Sequence, residues 1–169
     1  AGVVGAGNDL TLAFTGTTAI DGATFTGIKN LTSNNTGTTQ LTGTITTTGT
    51  QTYSDAVVLT GNTTAAAGAS LVSFGSTVDG AAAATQSLTV NGAGGASFGG
   101  VVGATTLSSL SVTGATALNT TAVSTSGNQT YTGAVTLGTS ATLNSGSGDV
   151  TFAGSVNATA SGQQGLTVN

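Results

Sequence analysis

The chain is expected to fold as an all-β solenoid of stacked coils. Three observations carry that expectation. A 78-residue unit repeats without a gap, apolar residues alternate with hydroxyl residues in short segments, and nothing supports a helix.

The repeat comes first, because self-similarity at a fixed period marks an architecture built from stacked units. Residues 49–91 align with 127–169, and 18 of the 43 positions are identical. The matches include Gln51/Gln129, Tyr53/Tyr131, Val57/Val135, Leu59/Leu137, Val72/Val150, Phe74/Phe152 and Val78/Val156, and LTVN at 88–91 returns at 166–169. Scarce residues kept in order lift this above the coincidences that Thr/Gly/Ala-rich sequence produces. A weaker copy lies upstream: Leu10-Thr11-Leu12 falls under Leu88-Thr89-Val90, Ile20 under Phe98 and Ile45 under Val123. Ile28, Leu31 and Leu41 match Leu107, Leu110 and Leu118 only after one-residue slips, which read as changes in turn length. The chain is therefore one solenoid unit over residues 1–169, with copies at about 1–48 (partial), 49–126 and 127–169 (partial). An array that begins and ends in mid-repeat is expected to be a segment of a longer one.

The strands are short. Leu10-Thr11-Leu12, Leu110-Ser111-Val112, Ala134-Val135-Thr136-Leu137, Val150-Thr151-Phe152 and Leu166-Thr167-Val168 alternate apolar and hydroxyl side chains, the period-2 signature of a strand with one buried face. Gly, Asn and Ser clusters between them supply turns. Frequent Gly, Thr, Val and Ser disfavour helix, and no sustained 3.6-residue stripe exists.

Four coils per repeat give about 19–20 residues per coil. Three strands per coil require twelve strands in a repeat, and about eleven strand-like segments can be counted. At ~4.8 Å between stacked strands, eight or nine coils make a rod ~40 Å long. Absence of Pro suits such ladders, since Pro removes a donor. The duplicated stretches GTQTYSDAVVL (49–59) and GNQTYTGAVTL (127–137) are expected to be a turn followed by a strand at equivalent coils, with Val57/Val135 and Leu59/Leu137 as core rungs. The alternation leaves open whether Tyr53 and Tyr131 face core or solvent.

Chemistry is scarce. There is no His, Cys, Met, Trp, Pro or Glu, one basic residue (Lys29) and five Asp, for a net charge of −4. Disulfides and thiolate or imidazole metal sites are excluded. Nucleic acid is not an expected partner, because no basic patch can neutralise phosphates. Membrane insertion is not expected either: no apolar run approaches the ~20 residues of a spanning helix, and no basic leader is visible. A nucleophile would lack a base. Lys29 is expected in solvent, and Asp9, Asp21, Asp55, Asp79 and Asp149 in turns or at the surface. Asp55 and Asp79 are the closest thing to a catalytic pair, yet their repeat counterparts are Gly133 and Asn157. The stretch GAGND at 5–9 is a weak match to a glycine-rich calcium turn and is read as an ordinary turn. No catalytic, cofactor-binding or metal-binding residue is assigned, no cofactor is expected, and the chain is not expected to be an enzyme. Outward Thr in TGTITTTGTQTY (42–53) admits ice binding, but the Thr-x-Thr pattern does not recur at a fixed coil spacing in the sequence, so that reading stands third. Six Asn-x-Ser/Thr sequons, at Asn30, Asn34, Asn62, Asn119, Asn128 and Asn157, permit glycosylation.

The succession GNQTYTGAVTLGTSATLNSGSGDVTFAGSV, LTVN, GASFGG, LSSLSVTGATALN and VSTSGNQTY resembles the repeats of filamentous-haemagglutinin-like bacterial exoproteins of two-partner secretion systems. The resemblance covers essentially the whole chain, most clearly 49–169. It implies a right-handed parallel β-helix, secretion to the bacterial cell surface and a place in the shaft of an adhesin, with no active site. The expected partners are neighbouring repeats of the same parent, or identical chains stacked end to end in an extracellular fibre or sheath. A surface carbohydrate or protein ligand is a further candidate.

Overall fold

Alternating Thr/Val/Leu segments extend, Gly and Asn bend the chain between them, and each circuit returns to hydrogen-bond with the one before. The structure is a computed structural model that describes residues 2–169. It contains no α-helix among those residues. Every strand pairing is parallel. The protein is a β-solenoid.

Three faces recur in order. The first is an 8-stranded sheet of Leu10–Ala13, Leu31–Asn34, Gln51–Tyr53, Val72–Phe74, Ala96–Phe98, Thr116–Leu118, Val135–Leu137 and Val156–Ala158. The second runs from Thr17–Asp21 through the first parts of Thr38–Thr46 and Ala56–Gly68 to Val78–Gly80, Val102–Leu107, Ala122–Thr125, Ala141–Asn144 and Leu166–Val168. The third takes the second parts of Thr38–Thr46 and Ala56–Gly68, then Ser87–Gly92, Ser109–Thr113, Gln129–Tyr131 and Val150–Phe152. In two early coils one long bent strand therefore serves both faces, and a register shift between Leu41 and Gly43 marks the bend. Phe25–Thr26 pairs with Val3–Val4 as a small separate sheet.

The core is made of columns. On the first face Ser33, Tyr53, Phe74, Phe98, Leu118 and Leu137 stack inward. On the second, Val57, Val78, Val102, Val123 and Leu143 do so. On the third, Ile45, Ala65, Val90, Val112, Tyr131 and Phe152 do so. Tyr53 stacks on Phe74 at 5.2 Å between ring centroids, and Phe74 on Phe98 at 5.4 Å. Tyr131 stacks on Phe152 at 5.3 Å. Offset aromatic stacks contribute beyond their burial. Both tyrosines thus face the core, which answers the question the alternation left open. The proposed rungs Val57, Leu59, Val135 and Leu137 are all buried.

The coil is longer than expected. Successive strands of the first face begin 19 to 24 residues apart, about 21 on average. The widest interval holds the exposed loop at 81–85. Consequently 78 residues are not four coils. From Gln51–Tyr53 to Gln129–Tyr131 the chain advances by eleven faces, the bent strand Ala56–Gly68 counting for two, which is three coils and two further faces. The repeat therefore lands one face away from where it started. Gln51–Tyr53 lies on the first face and Gln129–Tyr131 on the third; Val57 and Leu59 lie on the second and Val135 and Leu137 on the first. The duplicated phrase occupies inequivalent positions of the coil. It is also two strands around a corner rather than a turn and one strand.

Thr116 stands inward on the first face between Ala96 and Val135, and its buried hydroxyl has no hydrogen-bond partner. Replacing an unsatisfied buried hydroxyl by a methyl of the same shape removes a desolvation cost. Thr116→Val is expected to stabilise the protein by about 1 kcal/mol, read as a higher urea midpoint at unchanged slope.

Candidate functional site

The corners carry most of the buried polar chemistry, and they are built from a local pattern. At one corner Thr47 Oγ1 donates to the Gly49 carbonyl (2.7 Å), and Gln51 Nε2 donates to the Ile45 carbonyl (2.8 Å) and to Thr47 Oγ1 (3.3 Å). Tyr53 Oη donates to Gln51 Oε1 at 2.9 Å. At a different corner, 78 residues on, Thr125 bonds Gly127, Gln129 bonds the Val123 carbonyl and Thr125, and Tyr131 bonds Gln129 at 3.0 Å. The pattern Thr-x-Gly-x-Gln-x-Tyr is thus a corner plug that folds the same way on either side of the prism. It leaves the phenol, the amide and the hydroxyl satisfied in a dry interior, as buried polar groups require.

A second local pattern repeats with it. Gln86 Oε1 accepts from the Ala82 backbone N–H (3.2 Å), and Gln164 Oε1 from that of Ala160 (3.1 Å). Asn62 Oδ1 accepts from the Ser87 N–H, and Ser140 Oγ takes the corresponding place for Gly165. Gly68 and Gly146 share a φ of 59°. The two loops, 81–86 and 159–164, project from different edges of the prism.

Burial pushes the Tyr53 and Tyr131 phenols well above the ordinary tyrosine range. A phenol neutral in the fold but free to ionise in the unfolded chain makes the unfolded state the weaker proton binder above pH ~10. Stability is then intact below that pH and falls as pH rises past it, by up to about 1.4 kcal/mol per pH unit for each tyrosine. Urea midpoints taken across the alkaline range check this. The expected profile is flat to about pH 10 and steep beyond, and Tyr53→Phe should halve the slope.

The carboxylates do not form a catalytic pair. Asp55 lies at a bend, one of its two expected places, but inside the corner between the first and second faces and only 7 % exposed rather than at the surface. Its Oδ2 accepts long bonds from Thr39 (3.3 Å) and Ser33 (3.5 Å), whose hydroxyls are 2.6 Å apart, and its Oδ1 is buried without a partner. Asp79 stands on the outer side of the second face and accepts from the Thr105 N–H at 2.9 Å. The wall of the solenoid separates the two. Nothing in the sequence marked Asp55 as inward, because a turn-like QTYSDAV leaves a corner residue free to point either way. Asp9, Asp21, Asp149 and Lys29 are exposed, as expected. GAGND forms a turn with Ala6 and Gly7 at positive φ, and Asp9 accepts from Asn30 Nδ2. No group of three or more carboxylates converges among the described residues.

One cleft of about 260 Å³ opens where Phe25–Thr26 fails to continue the ladder to the next coil, lined by Gly22, Phe25, Ile28, Thr46 and Thr47. Its neutral lining converges no charged group on a ligand.

The outer surface is more regular than the sequence suggested. On the third face Thr44, Thr64, Thr89, Ser111, Thr130 and Thr151 stand in register as one outward column. Two residues along, a second column of Thr46, Ala66, Asn91 and Thr113 stands in register, and Thr132 and Ala153, just past the ends of their strands, continue it by backbone bonds to the Val112 and Tyr131 carbonyls. Among the described residues, no side chain of either column is hydrogen-bonded to the protein, whereas corner hydroxyls such as Thr63 and Thr120 bond back to the backbone. The first face has one comparable outward column, Thr11, Thr32, Thr52, Ser73, Ser97, Ala117, Thr136 and Asn157, but beside it stand Ala13, Asn34, Ser54, Gly75, Gly99, Asn119 and Gly138; the second face is mixed, with Gln40, Val58, Asp79 and Thr142. A Thr-x-Thr-like array therefore does recur coil after coil. It was hidden because its rungs lie 19 to 25 residues apart rather than at one spacing.

No family model, curated protein or solved structure matches the chain.

Proposed function

We propose that the chain is a structural shaft segment of a secreted bacterial surface exoprotein, without catalysis of its own. The observation that carries this reading is the ladder itself. Eight strands of the first face stack without a break from Leu10 to Ala158, so the molecule resists bending and extension along one axis. Side-chain chemistry is spent on corner plugs and core columns rather than on a convergent reactive site. The likeness of the repeat units to filamentous-haemagglutinin-like exoproteins supports the extracellular, two-partner-secreted setting and the role in an adhesin.

Pulling on the two termini in a force spectrometer tests the shaft role. Stepwise unfolding in increments of about 70 Å, the contour length of a ~21-residue coil, is the expected record. Smooth extension at negligible force would overturn it. Surface labelling of intact cells that produce the parent protein tests the location: signal confined to permeabilised cells removes the extracellular reading.

A second reading is a fibre or sheath whose subunits stack end to end. It is favoured by the all-parallel ladder, whose coil-to-coil register an identical chain could continue. Such head-to-tail contacts do not close and propagate into filaments. Electron microscopy that finds only dispersed short rods at every concentration rejects it.

A further inference from the structure

We propose that the third face is an ice-binding surface, its two outward columns, mostly Thr with Ser, Asn and Ala, docking on ordered water.

The face has the chemistry of a neutral lattice. Side chains stand about 4.8 Å apart from coil to coil and about 6.7 Å apart along each strand. Three of the six rungs are hydroxylated in both columns: Thr44/Thr46, Ser111/Thr113 and, with Thr132 one residue past its strand, Thr130/Thr132. Each hydroxyl can donate once and accept twice, and none is committed to the protein among the described residues. β-branching stiffens χ1 of the threonines, so the array is ordered before anything binds. Half-burial of Thr64, Thr89, Ser111 and Thr130 by their own column neighbours tightens it further.

The same features disfavour other occupants. A protein partner is anchored by aromatic or arginine side chains, and neither column has one. A polysaccharide is gripped by aromatic platforms and paired polar groups, and the columns offer no ring. Anions would need cations, and the chain's single cation, Lys29, belongs to neither column. An ice surface is neutral, rigid and periodic, presents donors and acceptors alone, and rewards a flat preordered lattice. This surface belongs to the flank of the shaft and does not depend on the shaft being part of an adhesin.

The test is freezing-point hysteresis and ice-crystal shaping by the purified 169-residue chain. A gap between melting and freezing with faceted crystals is expected. Thr89→Tyr, at the centre of the first column, and Thr130→Tyr, in one of its fully hydroxylated rungs, each alone interrupt the array and should bring hysteresis down to the buffer baseline. Thr142→Tyr on the second face should leave it unchanged. Circular dichroism reports whether each variant keeps the β-rich fold; should a tyrosine variant misfold, the near-isosteric Thr89→Val and Thr130→Val pair replaces it and should lower the hysteresis. Absence of hysteresis in the wild-type chain overturns the proposal, as does full activity in folded column variants. Retention on crystalline polysaccharide without hysteresis assigns the face to a glycan surface and equally overturns it. In none of these outcomes does the force record of the shaft change, so the two readings fail separately.

Discussion

Phe74→Ala is expected to lower stability by about 3–5 kcal/mol, the range for emptying an aromatic site in a packed core. Phe74 is fully buried and sits between two partners, with Tyr53 below at 5.2 Å and Phe98 above at 5.4 Å, so truncation removes two ring contacts at once. The narrow prism cannot collapse to fill the hole, because each neighbouring ring is tied to its own rung by parallel ladder bonds. Urea titration should show the loss as a lowered midpoint. In a one-dimensional stack the damage also divides the molecule: coils on either side interact only with their neighbours, so hydrogen exchange should accelerate first in Gln51–Tyr53, Val72–Phe74 and Ala96–Phe98. A double-mutant cycle between Phe74 and Phe98 should return a coupling of about 0.5–1.5 kcal/mol, the stacking contribution beyond burial. A change below about 1 kcal/mol in Phe74→Ala would contradict the aromatic column.

Gly95→Ala is the second large effect. Gly95 has φ +75°, and a Cβ there would overlap the Ala115 carbonyl of the next coil. The carbonyl cannot retreat: it already accepts from the Ala96 N–H at 2.9 Å, and Gly95's own carbonyl accepts from Val72 at 3.0 Å. Backbone strain and the clash together should cost about 2–5 kcal/mol. Gly7→Ala is the control. Gly7 has φ +81° but open space around it, so only the strain of about 1–2 kcal/mol remains. Thermal or urea unfolding of the two variants side by side separates coil-to-coil contact from backbone conformation. Equal losses in both would show that rung spacing is not limiting at Gly95.

Much of the architecture was legible in the sequence. Alternation in Leu10-Thr11-Leu12, Leu110-Ser111-Val112 and Val150-Thr151-Phe152 identified strands that the structure has at those places. Scarce Tyr, Phe and Gln revealed the repeat, and the count of about eleven segments was correct for faces, which ten strands supply because Ala56–Gly68 serves two. The step from eleven segments to four coils was not. It assumed that a sequence repeat must close on whole circuits, whereas a corner plug is built mostly from residues within its own short span, Gln129 adding one bond to the Asn144 carbonyl. Thr47, Gly49, Gln51 and Tyr53 make their bonds among themselves and to Ile45, so the plug fits any corner. The hydroxyl columns escaped for a related reason. Loops such as 81–85 lengthen one coil without moving its strands out of register, and register is what aligns side chains. The inward turn of Asp55 depends on Ser33 and Thr39, 22 and 16 residues away, and no local pattern encodes it.

The eleven-face step of the repeat around three faces works as a vernier. Because eleven is not a multiple of three, each copy is turned by one face relative to the last, and only after three copies does the pattern return to the same side. In any array that continues this way, a feature written once per repeat winds around the rod like the stripe on a barber's pole, with a pitch of eleven coils, ~53 Å. A flat partner lying along one side would meet that feature once in three repeats; a partner that encircles the rod would meet every copy.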